Sequence, residues 1–184
     1  MREIMASETT KTYQKRKRKK QSSEGQWFWK LLSFCLFLLI VGIFFRQTLM
    51  QLYTIHPIEG TSMEPALNSG ETVLVSKQTV PQRYSLISFS LEKEQFVKRV
   101  IGVPGDAFFI QGTRMVFDLD GTGKFLTTYS LDIAERQANE WKHLSAIPED
   151  CYFVLGDHLE VSKDSRVFGW VTSSDIEGTV LLKN

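Results

Sequence analysis

One long apolar run constrains this chain more than any other feature, because it has to leave water as a single helix. From Leu31 to Phe45 the sequence reads LLSFCLFLLIVGIFF, 15 residues without a charge. Aromatic residues Trp27 to Trp29 precede the run, and Lys30 and Arg46 lie at its ends, where long basic side chains reach the membrane surface. With these flanks the segment attains the roughly 20 residues that a bilayer requires. We predict a transmembrane helix over 27–53, since a helix so uniformly apolar would be unusual in the core of a small domain.

The charge of the chain is distributed unevenly around this helix. Residues 1–53 hold ten Lys/Arg and three Asp/Glu, a balance of +7, whereas residues 54–184 hold twelve and eighteen, a balance of −6. The basic run Lys15–Lys20 fits nucleic acid, a localisation signal or a membrane surface, and the neighbouring apolar helix favours the membrane lipid over nucleic acid. The positive-inside rule then predicts a disordered cytoplasmic tail over 1–26 and an extracytoplasmic domain over 54–184.

A cleaved signal peptide is the alternative interpretation of the same apolar run. Such a peptide ends in small residues shortly after its apolar core. Here the chain continues Arg46-Gln47-Thr48-Leu49-Met50-Gln51, with no Ala-x-Ala pattern. We therefore expect an uncleaved, single-pass signal-anchor in the cell membrane.

Residues 54–184 show the short apolar runs and turn signals of a β-rich domain. The predicted strands are Thr72–Val75, Leu86–Ser90, Phe96–Ile101, Ala107–Ile110, Arg114–Phe117, Cys151–Leu155 and Gly178–Leu182. Gln111-Gly112-Thr113 marks a hairpin, while the polar stretch Ser130–Ser145 leaves a short helix and a long loop both open. The predicted fold class is an all-β domain, barrel-like or sandwich-like, behind one N-terminal transmembrane helix.

The first candidate for chemistry is Ser62, in a segment whose residues predict a tight turn. Gly60 permits an unusual backbone conformation before the serine, and Pro65 stops a helix after it. Such a turn presents both the hydroxyl and the Ser62 N–H, and an N–H of this kind can stabilise an oxyanion. The hydroxyl becomes a nucleophile only beside a base, and most serines in turns simply bond their own backbone.

Lys98 is the candidate base, because alternation along a strand places it on one face with Phe96 and Val100. Desolvation between apolar neighbours favours the neutral amine and lowers the pKa, as a general base requires. Arg99, on the opposite face, stays protonated and cannot serve. A lysine that extends into solvent from an edge strand is the alternative, and spacing alone favours that alternative.

A third segment, Gly156 to Gly169, is rich in hydroxyls, carboxylates and arginine. Asp157, Asp164 and Arg166 are candidates for a structural polar network, and Ser162 is a candidate for orienting the lysine amine. A solvated loop with local Ser and Asp turns is the alternative interpretation.

The sequence predicts neither a metal nor a cofactor. His56, His143 and His158 are scattered, and no pair of His or Cys has ligand spacing. Asp118 to Gly123 has the acidic start of a calcium loop, but its glycine comes too early and no glutamate closes it. A hairpin turn is therefore the preferred interpretation of that segment.

Taken together, these segments resemble the bacterial type I signal (leader) peptidases. Ser62-Met63-Glu64-Pro65 is similar to that family's nucleophile box, Lys98 to Asp106 matches its Lys-Arg-Val-Ile-Gly-x-Pro-Gly-Asp box, and Gly156 to Gly169 is similar to its third box. The resemblance covers the anchor and about 40 residues of motif. Gly60, two residues before the serine, is typical of Gram-positive relatives.

The resemblance implies a role for each matched residue. Ser62 would be the nucleophile and Lys98 the general base, while Ser162 would orient the lysine. The Ser62 N–H would help to bind the oxyanion, with Gly60 supporting the turn. It also implies a β-rich core with a variable insertion over 111–150, no metal or cofactor, and preprotein substrates with small residues one and three places before the cut, delivered near the secretion translocon.

Two departures mark the chain as a divergent relative. His158-Leu159 replaces the family's Asn-Arg, and the segment Arg83 to Phe89 lacks the usual Gly-Asp before its strand. The altered third box motivates an alternative function, a non-catalytic or narrow-specificity assembly factor for pili or other surface fibres. The intact Ser62 and Lys98 favour an enzyme. A self-cleaving repressor-type Ser/Lys protein shares the dyad, but the anchor and the lack of a DNA-binding segment oppose that assignment.

Overall fold

The structure is a computed structural model that describes residues 2–183, with side chains described from Gln26 onward. It divides into two compact units, Met1–Met50 and Gln51–Asn184. The first is helical and the second is β-rich, so the predicted fold class, an all-β domain behind one N-terminal helix, is confirmed.

A single helix, α1, covers Arg2–Leu52 and makes up the described part of the first unit. Its part Gln26–Leu52 has a mean hydropathy of 2.4 and is long and apolar enough to cross a membrane. Phe34, Phe37 and Phe44 are all exposed on this helix, which suits lipid better than water.

Helix α1 begins earlier than the sequence predicted, since disorder was expected over 1–26. Lys, Arg, Gln and Glu are good helix formers, and a helix nucleated in the apolar segment extends through them at little cost. The side chains before Gln26 lie outside the described residues, so a role for the basic run stays a prediction.

The second unit contains ten strands and two short helices. Their bounds are β1 Tyr53–Pro57, β2 Thr72–Ser76, β3 Leu86–Leu91, β4 Glu94–Gly102, β5 Phe108–Gln111, β6 Arg114–Asp118, β7 Thr128–Asp132, α2 Glu135–Trp141, β8 Cys151–Leu155, α3 Ser165–Phe168, β9 Val171–Thr172 and β10 Ile176–Lys183. Seven strands form one sheet in the order β1-β2-β10-β3-β4-β8-β9, and β5-β6-β7 form a second. Within each sheet the neighbouring strands are antiparallel.

All seven predicted strands are present, and three others escaped the sequence analysis. β1 contains His56 and Pro57, β7 lies in the polar stretch after Thr127, and β9 has only two residues. Such segments carry weak strand propensity and form because neighbouring strands pair with them. The stretch Ser130–Ser145 contains α2, which decides for the short helix.

The core consists of three apolar clusters. The loop cluster comprises Ile58, Met63, Leu67, Val73 and Val75. The central cluster comprises Ile87, Phe89, Val100, Tyr152, Val154 and Val171. The small-sheet cluster comprises Phe108, Met115, Phe117, Ile133, Ala138, Trp141, Ile147, Phe153 and Leu155. Each fully buried apolar side chain stabilises the fold by roughly 1.5–3 kcal/mol.

Candidate active site

Ser62 and Lys98 meet in the second unit although they are 36 positions apart in the chain. Lys98 Nζ lies 2.6 Å from Ser62 Oγ, within hydrogen-bond distance, and 3.1 Å from the carbonyl oxygen of Val97. The ring of Phe96 lies 5.8 Å from the same nitrogen. The two residues predicted to act together are therefore in direct contact.

The position of β4 explains why Lys98 is buried. Strand β4 pairs with β3 opposite Lys98 and with β8 from Arg99 onward, and the Lys98 residue is only 3% exposed. The alternative of a lysine extending from an edge strand is therefore wrong for this fold.

Burial also sets the protonation of Lys98. Desolvation lowers the pKa of its amine below the usual lysine value, while the negative charges of Asp164 and Asp157 act in the opposite direction and raise it. The net effect is a lowered pKa, because loss of water around the ammonium outweighs attraction to the carboxylates. The neutral amine, which can accept a proton, is thus more accessible than in an exposed lysine.

The loop that carries Ser62 is held by local bonds and by two apolar anchors. Gly60 has a φ of +83°, a left-handed conformation that glycine adopts without strain. The N–H of Glu64 donates to Thr61 and that of Leu67 donates to Met63, which makes a compact turn. Met63 and Leu67 insert into the loop cluster and so fix the base of this turn.

The backbone N–H of Ser62 is a second functional group that this turn can supply. Among the residues that the structure describes, no acceptor is assigned to this N–H. An unbonded N–H on the nucleophile itself is suited to bind an oxyanion that forms on the attacked carbonyl.

The third segment packs directly against the Ser62 loop. The N–H of His158 donates to the carbonyl oxygen of Ser62 at 3.1 Å. A Cβ on Gly156 would lie 2.5 Å from the same oxygen and would collide with Ser162 Oγ. Gly156 therefore allows the two segments to approach this closely. His158 makes its contact through the backbone, so the contact is independent of the side chain that departs from the family pattern.

Ser162 is buried beside this contact, but its expected bond to the lysine is not formed. Among the described residues, Ser162 Oγ has no hydrogen-bond partner, and neither has His158 Nδ1. A buried hydroxyl without a partner is uncommon, because desolvating it costs about 1–3 kcal/mol. The role of Ser162 in orienting Lys98 stays a prediction.

The three residues predicted as a polar network divide into two ion pairs. Asp164 is fully buried and accepts bonds from Arg166 Nε at 2.8 Å, Arg166 Nη2 at 2.9 Å and the N–H of Gly156 at 3.1 Å. Arg166 Nη2 also donates to the carbonyl of Leu159 at 2.6 Å. This pair therefore ties both ends of the third segment together.

Asp157 has a partner that the sequence did not single out. It accepts two bonds from Arg99, at 2.8 Å from Nε and 2.6 Å from Nη2, in a fork geometry that raises the pKa of the guanidinium. Arg99 lies on the face of β4 opposite to Lys98, as alternation predicts, and joins the third segment to the sheet.

Arg83 is a second missed residue, in the segment that departs from the family. Its Nη2 donates to Asp106 at 2.6 Å, and its Nη1 donates to the carbonyl of Ile101 at 2.8 Å. The Arg83 contacts thus close the turn at the end of β4. A lone arginine before a strand carries no sequence signal for a partner 23 positions away.

The site opens into a cleft of about 660 Å³. One wall follows the chain from His56 to Met63, the other follows β4 from Glu94 to Lys98, and Val161 and Lys163 complete the rim. Among the described residues, no group of three or more His, Cys, Asp or Glu is placed to hold a metal ion. Asp118 instead caps its own turn by accepting a bond from the N–H of Gly123.

The chain is similar to known proteins over most of its length. The model of a family described as "Signal peptidase, peptidase S26" matches residues 28–183. Signal peptidase IB of Staphylococcus aureus is 31% identical over 172 residues, which cover 84% of this chain and 86% of that protein.

Two further proteins are similar to parts of the chain. Signal peptidase I of Bacillus caldolyticus is 33% identical over 135 residues, covering 67% of this chain and 74% of that protein. A crystal structure of a signal peptidase I from Enterococcus faecalis is 26% identical and has a TM-score of 0.38, covering 56% of this chain and 98% of that one.

Proposed function

The chain belongs to the signal peptidase family, peptidase S26, and we propose that within it Ser62 is the nucleophile and Lys98 the general base. It is a serine peptidase of the signal peptidase I type, whose members remove signal peptides from preproteins. One observation carries the assignment of the dyad, the 2.6 Å separation between Ser62 Oγ and a buried lysine nitrogen.

The reaction proceeds in two halves. Neutral Lys98 accepts the Ser62 proton as Oγ attacks the carbonyl carbon of the scissile peptide bond, and the Ser62 N–H binds the resulting oxyanion. The Lys98 ammonium then gives its proton to the leaving amine, which leaves an acyl-enzyme. Lys98 next takes a proton from water, the hydroxide attacks the ester, and Ser62 recovers its proton as the signal peptide leaves with a new carboxylate.

Ser162 is proposed to orient the amine between these steps. Lys98 Nζ already has two acceptors, Ser62 Oγ and the Val97 carbonyl, so one donor position of the ammonium remains. The unpaired Ser162 hydroxyl, buried against Gly156, is the nearby group with free acceptor capacity.

Substrate binding follows from the shape of the cleft. One wall is strand β4 and the other runs from the end of β1 into the loop that carries Ser62, so a substrate can lie between them as a strand added along β4. We expect small residues next to the cut.

The apolar helix Gln26–Leu52 anchors the enzyme at the membrane that carries its preprotein substrate and the translocon. This shared location raises the effective concentration of the preprotein at the enzyme. The N-terminus is proposed to be cytoplasmic and the peptidase domain extracytoplasmic.

The alternative of a pilus or surface-fibre assembly factor finds no support in the relatives named above, which are signal peptidases. The departures that motivated it, His158 and Leu159, contact the site through backbone atoms. A change of side chain there leaves those contacts in place.

Cleavage of a model preprotein in detergent tests the dyad. Ser62→Ala should lower kcat/KM by about 10⁴–10⁶-fold and Lys98→Ala by about 10²–10⁴-fold. Exposed residues provide matched controls, and Ser69→Ala and Lys142→Ala should cleave like the wild type. Cleavage retained in either dyad variant, with mass spectrometry confirming the same new N-terminus, would refute the mechanism.

A further inference from the structure

A cluster of polar side chains lies at the end of the cleft away from the dyad. His56 Nε2 is 2.6 Å from Glu177 Oε2, and Gln95 Nε2 donates to the same oxygen at 2.8 Å. Gln95 Nε2 also lies 3.0 Å from Ser88 Oγ and 3.0 Å from His56 Nε2. We call these four residues the distal cluster. They come from β1, β10, β4 and β3, and β1 is separated from the other three strands by β2.

The distal cluster faces the cleft and is partly shielded from water. His56 and Gln95 both line the cleft that contains Ser62 and Lys98. The side chains of His56 and Glu177 are 19% and 25% exposed, and Ser88 is fully buried. Lys77 Nζ lies 3.8 Å from the other oxygen of Glu177 and balances its charge. None of these side chains takes part in the proposed chemistry.

Both walls of the cleft change from apolar to polar residues with distance from the nucleophile. Beside the nucleophile, Ile58 and Val97 pack in the apolar loop cluster with Met63. Two residues earlier on each wall, the apolar pair is replaced by the polar pair His56 and Gln95. Because side chains in extended chain repeat every two residues, a bound strand that places one side chain at the apolar pair places its second neighbour at the polar pair.

We propose that the distal cluster is the subsite for the third substrate residue before the cut, an inference that rests on the proposed function. This subsite selects a neutral hydrogen-bonding side chain such as threonine, serine or asparagine. A hydroxyl or amide can bond to Glu177 or to His56 when the substrate excludes water. An apolar side chain removes the same water and returns no hydrogen bond, which is unfavourable for buried polar groups. The resemblance implied a small residue at this position, and the distal cluster makes its subsite polar.

Threonine and valine provide a matched pair, because they have nearly the same shape and differ in one hydroxyl. A preprotein with alanine at the first and third positions before the cut serves as the reference, and threonine or valine replaces the third. With the full chain in detergent, kcat/KM for threonine should exceed that for valine about tenfold. The same pair at the second residue after the cut should show no preference.

Two variants connect the preference to the distal cluster. His56→Leu and Gln95→Leu should each bring the threonine-to-valine ratio close to one, while His143→Leu, on an exposed residue outside the cleft, should preserve it. Gln95 is exposed, so its variant keeps the test valid if His56→Leu fails to fold.

Other results would overturn the inference. A wild-type ratio of one or less, a ratio unchanged in both cleft variants, or a preference that appears after the cut would each refute it while the reference preprotein is still cleaved. If the reference itself is not cleaved by folded wild type, the proposed function fails and this inference falls with it.

Discussion

Lys98 occupies an environment in which an ammonium is poorly solvated. Its residue is 3% exposed and two of its hydrogen-bond acceptors are a hydroxyl and a carbonyl, neither of which carries a charge. Desolvation lowers its pKa more than Asp164 and Asp157 raise it. The neutral form of the Lys98 amine, which is the form that acts as a base, is therefore populated at lower pH than that of an exposed lysine.

The pH dependence of cleavage should report this environment. Activity requires the neutral amine, so kcat should rise with pH through the pKa of Lys98, with a midpoint below the ordinary lysine value of about 10.4. Lys98→Arg should lose the rise and lower kcat by about 10²–10⁴-fold, because a guanidinium does not deprotonate in this range. Initial rates between pH 5 and 10, with exposed Lys142→Arg as the control, measure it. A rise centred on the ordinary lysine pKa would contradict the assignment.

At the scale of the element, the nucleophile loop depends on the third segment for its position. The contact is made by backbone atoms, His158 N–H to Ser62 C=O, across a glycine that leaves no room for a Cβ. The Asp164–Arg166 pair then holds the third segment in shape. Order in the loop thus comes from long-range contacts as well as from its own turn.

Gly156→Ala should separate these two segments. The added Cβ meets the Ser62 carbonyl, which belongs to the backbone and can yield only if the loop moves, and a displacement near 1 Å costs about 10²-fold in rate. We expect kcat of the folded variant to fall by about that factor.

A second glycine supplies the control for this experiment. A Cβ on Gly178 would collide with the Ser76 carbonyl, away from the cleft, so Gly178→Ala should destabilise the fold by about 1–3 kcal/mol without the loss of kcat per folded molecule. Thermal unfolding and active-site titration separate the two effects. Equal losses of kcat in both variants would show that the Gly156 contact has no special importance.

The small sheet β5-β6-β7 and α2 are also integral elements. Phe117, from the segment 111–150 that was predicted to be a variable insertion, is fully buried and lies 5.0 Å from the ring of Phe153 on β8. Trp141 on α2 stacks at 4.0 Å on Trp170. The segment therefore shares a core with the large sheet.

Truncation of that core should be costly. Phe117→Ala removes a fully buried ring and should lower the free energy of unfolding by about 3–5 kcal/mol. Phe109, on the neighbouring strand β5, is exposed, so Phe109→Ala should change stability by less than about 1 kcal/mol. Urea unfolding followed by tryptophan fluorescence measures both. A small effect of Phe117→Ala would mean that the segment folds independently of β8.

At the scale of the whole molecule, the chain separates into a helical unit and a β-rich unit. All three apolar clusters of the core lie between Ile58 and Val171, within the second unit. The apolar residues of α1 from Trp27 to Met50 are exposed. We therefore propose that the first unit contributes to function by holding the peptidase domain at the membrane.

Removal of residues 1–50 should test that division of roles. The remaining chain from Gln51 should stay folded and soluble without detergent, and it should cleave a short soluble peptide as the full chain does. Its cleavage of a membrane-bound preprotein in vesicles should fall by about 10²-fold, because the tether that raises the effective concentration is lost. Equal loss on both substrates would show that the helix is needed for the fold.

Much of this protein follows from local patterns in the sequence. The apolar run is long enough to span a bilayer whatever the rest of the chain does, and the alternation of β-branched and aromatic residues marks seven strands. Alternation also puts Lys98 and Arg99 on opposite faces of β4, as found. These features depend on residues close together in the chain, and so they can be predicted without a fold.

The tertiary structure decided what depends on strand order. Whether Lys98 is buried depends on the elements that pack around β4, including the loop that carries Ser62, and spacing alone favoured the exposed alternative. His56 meets Glu177 across 121 positions, and Arg99 meets Asp157 across 58, so neither pair leaves a local signal. The sequence by itself determined which groups are present and which strands and helix carry them. Only the folded sheet determined which groups lose their water and meet, because burial and contact are properties of the whole arrangement.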